Sequence, residues 1–364
     1  MDPAAIAPRY SRQALLPEIG SEGQARLADA RVLCIGVGGL GCASLPYLAG
    51  AGVGHITLLD DDSVDRSNLQ RQVLFGESDL GQPKAEAAAR RLADLNPEIT
   101  IEARNERLTA DTVAALFGQH DLVLDGSDNY ATKFLCGDAS VRFGVPLLYA
   151  SATGMEAMVT LFDGDTGPCL RCLFPQPPTG WVPNCAEAGV LGPLVGMAGC
   201  IQAVEAILWL ANGASALNGN LWWLDARAAG SRQLEIRKRP DCAVCSGPRD
   251  AIELETGASV CPEIDIESAR ALDGVIFIDV RDDDEYRNGH IPGACHLPLA
   301  RIEQASDLPL PEANHLVLYC AAGPRAERAA EKLKSSDRSL YRLRGGVSAW
   351  AGALVTGSGD DGGT

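Results

Sequence analysis

Cys169 and Cys172 in CLRC recur about seventy residues later as Cys242 and Cys245 in CAVC. Two C-x-x-C pairs in one chain are the ligand set of a tetrahedral thiolate zinc site. A redox-active C-x-x-C would open a helix in a thioredoxin-like unit, whereas these pairs sit among prolines and turns. Four thiolates leave no open position for water, so the metal would serve stability and pin the end of one domain back onto it.

A second group of residues has the spacing of a phosphate site. Gly36, Gly38 and Gly41 form G-x-G-x-x-G after an apolar run and before a helical stretch, which lets backbone amides approach phosphates at a helix N-terminus. Asp60 follows at the end of the next apolar run, where an acidic group would hold a ribose hydroxyl. Nicotinamide-dependent dehydrogenases share both features, so these alone leave a dinucleotide cofactor open. The next segment, DDDSVDRSNLQRQVLFGESDLGQPKAEAA, concentrates Asn68, Arg71 and Lys84 just beyond the ribose position. Dehydrogenases do not need that cluster; adenylyl transfer does, because charge moves onto a pyrophosphate leaving group. Asp128 in HDLVLDGSDN is a candidate Mg²⁺ anchor, with a helix N-cap as its rival role. Pro46 should kink or shorten the helix after the glycines, since it removes one amide.

The third chemistry-bearing residue is Cys320, which ends LVLYC and precedes the helical stretch PRAERAAEKL. A thiolate in such a loop is stabilised by amides and the helix dipole. Arg325, after four intervening residues, brings a cation back toward the sulfur. A cysteine phosphatase uses a similar loop one residue longer to encircle phosphate, so the shorter loop favours a persulfide. Pro324 removes one amide that could face that sulfur. Cys34, Cys42, Cys136, Cys200, Cys261 and Cys295 lie in apolar or small-residue settings and read as packing residues. Cys185, in a Pro/Gly-rich stretch, reads from its residue type as an inert small hydrophobe.

The elements that must position these groups follow from periodicity. RVLCI, HITLL, HDLVLD and VPLLYA are short apolar runs alternating with helical stretches such as KAEAAARRLADL, the pattern of a parallel, doubly wound α/β sheet. Near residues 246–261 the chain turns polar and irregular, and GVIFIDV then starts a fresh α/β segment. In that segment the pattern predicts strands at 275–280, 316–319 and 340–343 and a helix over 324–334. The 364 residues fit two or three domains. The net charge of −17 repels nucleic acid and anionic lipid and suits a small protein partner with a basic face. No export signal and no apolar run of about 20 residues is read, so we expect neither a membrane span nor a location other than the cytoplasm.

RYSRQ, GVGGLG, LLDDDSVDRSNLQRQ, GQPK, DGSDN and NCAEAGVLGPLVG together resemble the MoeB/ThiF family of ubiquitin-activating-like adenylyltransferases. The resemblance implies a Rossmann-like adenylation domain over residues 1–246, ATP and Mg²⁺ as cofactors and Zn²⁺ at the paired cysteines. It further implies that Asp60 holds the ribose, that Asn68, Arg71 and Lys84 contact phosphates, with Arg71 and Lys84 catalytic, and that Asp128 binds Mg²⁺. Gly38, Gly39, Gly41, Asp62, Gln72 and Asn129, in the same motifs, are counted with the nucleotide-binding set. Arg12 is implied to reach the ATP of a neighbouring subunit, which makes the active species a homodimer. In relatives fused to a rhodanese, the cysteine at the position of Cys185 lies in a crossover loop and can join sulfur transfer.

FIDVRDDDEYRNGHIPGACHLPL and LRGGVSAW, on either side of the Cys320 loop, are similar to a rhodanese domain, placed at residues 258–356 after a 247–257 linker and before a 357–364 tail. This likeness implies that Cys320 carries a persulfide and that Asp279 and Arg281 hold the fold. Together the resemblances imply adenylation of the C-terminal glycine of a ubiquitin-like sulfur carrier ending in Gly-Gly, in molybdopterin, thiamin or related biosynthesis. A persulfide donor such as a cysteine desulfurase would then supply sulfur for a thiocarboxylate. Two rivals are protein conjugation through a Cys185 thioester, which the rhodanese segment speaks against, and a regulatory protein that only senses ATP.

Overall fold

The computed structural model describes residues 7–178, 189–254, 261–304, 308, 310–321, 323–333 and 339–357. Cys185 lies outside the described residues. The chain divides into two compact units, Met1–Gly257 and Ala258–Thr364.

In the first unit the strands are β1 (Arg31–Ile35), β2 (His55–Leu59), β3 (Thr100–Arg104), β4 (Leu122–Asp125), β5 (Leu147–Thr153), β6 (Glu156–Phe162), β7 (Asn220–Asp225) and β8 (Gly230–Glu235). They form one sheet in the order β3-β2-β1-β4-β5-β6-β7-β8. The first five are parallel and β6 to β8 extend them antiparallel. The parallel half is the sheet expected from the sequence. The antiparallel extension was not, because NLWWLD and GSRQLE are short and β8 is largely exposed.

Helices α1 (Gly20–Asp29), α2 (Gly39–Ala51), α3 (Lys84–Leu95), α4 (Ala110–Phe117), α5 (Tyr130–Phe143), α6 (Leu170–Leu173) and α7 (Gly192–Asn212) accompany the sheet. Four of the five residues in β1 and in β2 and all four in β4 are buried, as parallel strands covered by helices must be. Each fully buried leucine or valine there contributes roughly 1.5–3 kcal/mol. Pro46 does not shorten α2, which continues five residues beyond it to Ala51 and ends at left-handed Gly52. Leu45, Leu48 and Ala49, buried beside the proline, keep that turn packed despite the missing amide.

α7 corrects one expectation from composition: its 21 residues are long and apolar enough to cross a membrane. In this fold its Leu194, Val195, Ala198, Ala203 and Ala206 are buried in the sheet-covering core. Its polar Gln202 is also buried and hydrogen-bonded to the sheet.

The order of strands reverses at β1, and the register brings Ile35 opposite both Leu59 and Asp125. Gly36, Asp60 and Gly126 therefore leave the sheet at one level, at the point where α/β sheets open a crevice for ligands.

The second unit is a five-stranded, all-parallel sheet. Its strands are β9 (Glu263–Ile264), β10 (Val275–Asp279), β11 (Cys295–His296), β12 (His315–Tyr319) and β13 (Ser339–Leu343), in the order β11-β10-β12-β13-β9. The three longer strands match the apolar runs. β9 and β11 are two residues each, too short to leave a periodic signal.

Candidate active sites

Gly36 turns the chain at the end of β1 with φ +88°, and a side chain on it would collide with the Gly126 backbone. Gly41 lies so close to the Gly36 carbonyl that a Cβ would sit 2.5 Å from that oxygen. The two glycines press the loop against the 125–128 turn. Asp60 is bound into the same loop: one carboxylate oxygen accepts from Val37 N (2.7 Å) and the other from Asp62 N (2.9 Å). Burial pushes the Asp60 carboxyl up to about 6, against the pull of Lys84 and these amides. Lys84, almost wholly buried, donates to Asp62 at 2.9 Å. Burial works against its charge, but Asp60 and Asp62 outweigh burial and raise its pKa, with a further contribution from Asp128. Asp60, Lys84 and Asp128 thus share one electrostatic environment.

The excursion carrying Asn68, Arg71 and Gln72 is closed at its base: Val64 N donates to Gln82 O, Gly81 N to Val64 O and Lys84 N to Asp62 O, each at 2.9 Å. On it, half-buried Arg71 reaches only the Ser67 carbonyl at 3.2 Å, and Asn68 the Ser67 hydroxyl at 3.3 Å. Gln72 is buried with its Oε1 unpaired, and its Nε2 is the nearest atom to a Cβ placed on Gly38. Arg12 is exposed and, among the described residues, pairs with no carboxylate. At the end of β4, Asn129 caps α5 by accepting from Thr132 N at 2.9 Å. The capping role considered for Asp128 belongs to Asn129. Asp128 stays exposed and acts on Lys84 only through its charge, with no side-chain hydrogen bond among the described residues. Asn129, counted with the nucleotide-binding residues, gives its side-chain oxygen to the helix cap.

Cys169, Cys172, Cys242 and Cys245 converge with all four sulfurs within 4.8 Å of one another. The separations are 3.9 Å for Cys169–Cys172, 3.6 Å for Cys169–Cys242 and 3.5 Å for Cys172–Cys245. Four ligands at the usual Zn–S distance of about 2.3 Å would stand about 3.8 Å apart, so the cluster fits a tetrahedral ion. Arg239 N also donates to Cys172 Sγ at 3.4 Å, and Arg171 ties α6 to Asp138 of α5 through bonds of 2.9 and 2.6 Å.

In the second unit Cys320 follows β12, and a helix (Pro324–Leu333) starts four residues on. Its sulfur is buried and accepts from Gly323 N at 3.0 Å. Pro324 takes the first helical position, where its missing amide would have had no intrahelical partner. Gly346 packs so closely behind the loop that a Cβ would lie 2.3 Å from Cys320 O. Arg325 pairs with Glu285 through bonds of 2.5 and 2.8 Å, and its pKa is raised by Glu285 first and also by the nearby Cys320 sulfur, whose hydrogen bond comes from the Gly323 amide. Asp279 and Arg281 form a buried pair (2.6 Å), and Arg281 also holds Gly289 O at 2.7 Å, the fold-holding role expected of them.

Residues 10–244 match the ThiF family, and residues 265–353 match the rhodanese-like domain. The chain belongs to the ThiF family. Two relatives align with nearly the whole of this chain. The probable adenylyltransferase/sulfurtransferase MoeZ of Mycobacterium tuberculosis is 39% identical, with 94% of this chain and 92% of the relative covered. The adenylyltransferase and sulfurtransferase MOCS3 of Sus scrofa is 37% identical over 94% of this chain and 85% of its own length. The SAMP-activating enzyme E1 of Haloferax volcanii is 44% identical over 67% of this chain and 91% of its own. A crystal structure of E. coli MccB with AMPCPP and MccA superposes with a TM-score of 0.60 at 21% identity, covering 67% of this chain and 76% of that one. That likeness speaks for the ThiF fold alone.

Within the ThiF domain the sequence reading passed over two buried charges. Lys133 on α5 donates to Asp125 at 3.0 Å and to Ala150 O at 2.8 Å, with its ammonium 4.6 Å from the Tyr149 ring centre. Burial opposes the charge on Lys133, but Asp125 outweighs it. The available signal was Lys133 four residues after the capping asparagine, a polar residue amid FLCGDASV on an otherwise buried helix.

Proposed function

We propose that this chain uses ATP to adenylate the C-terminal glycine of a ubiquitin-like sulfur carrier and replaces the adenylate with sulfur carried on Cys320. The observation that supports the reading is one polypeptide holding both a glycine loop with Asp60 bound into it beside Lys84 and a buried thiol that accepts from the Gly323 amide. Asp60 would accept from the ribose hydroxyls. Arg71, Lys84 and Asn68 would hold the phosphates, and Gln72 Oε1 is a buried acceptor still to be satisfied. Asp128 would hold Mg²⁺, whose charge offsets that gathering on the leaving pyrophosphate. A carboxylate oxygen of the carrier attacks the α-phosphorus, and the bond to the β-phosphate oxygen breaks.

The terminal sulfur of a Cys320 persulfide, loaded by a donor such as a cysteine desulfurase, then attacks the acyl carbon and AMP departs. A second thiolate or a reductant cleaves the acyl disulfide, which supplies the two electrons and leaves the carrier as a thiocarboxylate. Gly323 N offers its hydrogen bond to the sulfur of the loop throughout. Covalent fusion raises the effective concentration of persulfide around the adenylate.

The four-cysteine cluster would hold Zn²⁺ as a structural ion. A homodimer is supported by exposed apolar side chains on two helices that pack together, Tyr47 of α2 and Met197 and Val204 of α7. Arg12, without a carboxylate partner among the described residues, would complete the neighbour's phosphate site.

The reading is tested by incubating the protein with ATP, a persulfide donor and a panel of carriers ending in Gly-Gly, including molybdopterin and thiamin types. Intact mass should show oxygen-to-sulfur exchange at one carrier's C-terminus. ATP consumption with no carrier modified would leave the sensor reading instead.

A further inference from the structure

Asp125 is the most buried carboxylate of the nucleotide crevice, with no exposed surface, and it sits three residues before Asp128. One of its oxygens accepts from Ser127 N (3.0 Å) and Ser127 Oγ (2.6 Å), and the other from Lys133 Nζ. The backbone of the same turn is held from two more elements: Gln202 of α7 donates to Asp125 O at 3.1 Å, and Gly126 N donates to Ile35 O at 2.8 Å. Lys133 reaches in from α5, the helix whose cap immediately follows Asp128, and fastens to β5 through Ala150 O. Every polar atom of this arrangement is spoken for, and none of the partners is Asp128.

Burying two opposite charges costs about as much desolvation energy as their attraction returns, and an apolar pair of similar volume is often no less stable. Stability alone is therefore a weak reason for an aspartate and a lysine here. What the charges do supply is geometry, because Asp125 bends residues 125–127 into one turn and Lys133 locks that turn to both neighbouring elements.

We propose that Asp125 and Lys133 are positioning residues that fix the 125–128 turn so that Asp128 faces Lys84 and the phosphates, setting the affinity of the crevice for Mg²⁺·ATP. The proposal rests on the adenylation reading for what Asp128 binds, but it concerns binding and not turnover. Both side chains make their hydrogen bonds within the protein.

The test uses the full-length chain and calorimetric titration with a non-hydrolysable ATP analogue at several Mg²⁺ concentrations, with carrier-dependent pyrophosphate exchange followed in parallel. Asp125→Leu with Lys133→Met removes both charges together and should stay folded. Its half-saturating Mg²⁺ should rise about tenfold, the scale found when partners of a metal-holding group are removed. Affinity for the analogue without Mg²⁺ should change little. Adding Asp128→Ala to the double variant should produce no further Mg²⁺ shift, and Lys133→Arg should lie near wild type. A folded double variant with unchanged Mg²⁺ dependence, or a shift that simply adds to that of Asp128→Ala, would overturn the proposal.

If the double variant does not fold, Ser127→Ala decides. It removes one bond to Asp125 and leaves the ion pair, so it should move the Mg²⁺ midpoint in the same direction by a smaller factor; no movement overturns the proposal. A wild-type chain that binds Mg²⁺·ATP yet exchanges no pyrophosphate with any carrier would sink the adenylation reading and leave this inference standing. A wild-type chain whose analogue affinity is indifferent to Mg²⁺ would sink this inference.

Discussion

The nucleotide crevice and the sulfur loop treat their polar groups in opposite ways. In the crevice, Arg12 pairs with no carboxylate among the described residues, Asp128 acts on Lys84 only through its charge, Arg71 has only a backbone carbonyl, and Gln72 keeps a buried oxygen unpaired. In the loop, Cys320 accepts from Gly323 N, Arg325 is clamped by Glu285, and Asp279 and Arg281 satisfy each other. A site that waits for a ligand of several negative charges must hold its capacity in reserve. A site that carries one soft sulfur can be complete beforehand, with neutral amides supplying stabilisation that does not vary with ionic strength.

The sharpest way to break this contrast is to remove one side of it. Cys320→Ala should abolish thiocarboxylate formation from a persulfide donor while pyrophosphate exchange stays near wild type, since alanine offers no nucleophile and no crevice residue is touched. Added sulfide should partly restore product. Sulfur transfer at the normal rate by this variant would move the chemistry to Cys185 or a free pathway.

Asp128→Ala is the mirror experiment. Exchange should fall roughly 10²–10³-fold, as expected when a charge that offsets the leaving group is lost. Loading of Cys320 with persulfide should be untouched. Equal losses in both assays would mean the two sites are not independent.

Atomic absorption should find about one zinc per chain, and Cys172→Ser should both lose the metal and lower the melting temperature by several degrees, with sulfur loading at Cys320 unchanged. A zinc-free native protein with the same melting curve would remove the ion from the account.

The smallest effect concerns Asp60. Its carboxyl sits near 6 because burial disfavours the charged form, so the group takes up a proton as pH falls through that value. Nucleotide affinity should therefore weaken a few-fold between about pH 7 and pH 5, and Asp60→Asn should flatten that limb. The stability term has the opposite sign: a raised carboxyl pKa binds more protons in the folded state, so this group adds stability as pH falls from about 6 toward the unfolded value. A pH-independent affinity would show that Asp60 is ionised throughout.

Much of this was legible in the sequence, and the gaps have physical causes. The glycine loop and Asp60 could be read because they follow strands at fixed offsets. The four cysteines could be read because metal-ligand spacing survives any loop length. The pairing of Arg325 with Glu285 could not be read, because Glu285 is forty residues away in the chain. The Asp125–Lys133 pair escaped because burial of a charge is a tertiary fact. β6 to β8 escaped because an antiparallel edge needs no long apolar run. α7 left no run of about 20 apolar residues to read because Gln202 and Glu205 interrupt it.

The four-cysteine cluster has a meaning for the unfolded chain as well. Tying residues 169–172 to 242–245 closes a loop of about seventy residues, and the chain entropy removed by one such closure is worth about 4 kcal/mol. That loop contains all of α7, β7 and β8. The cluster is therefore a clasp around the last two strands of the sheet, which have no parallel partner. Unclasped by a chelator, this unit should lose amide-exchange protection first at β7 and β8, while β1, β2 and β4 remain closed around their crevice.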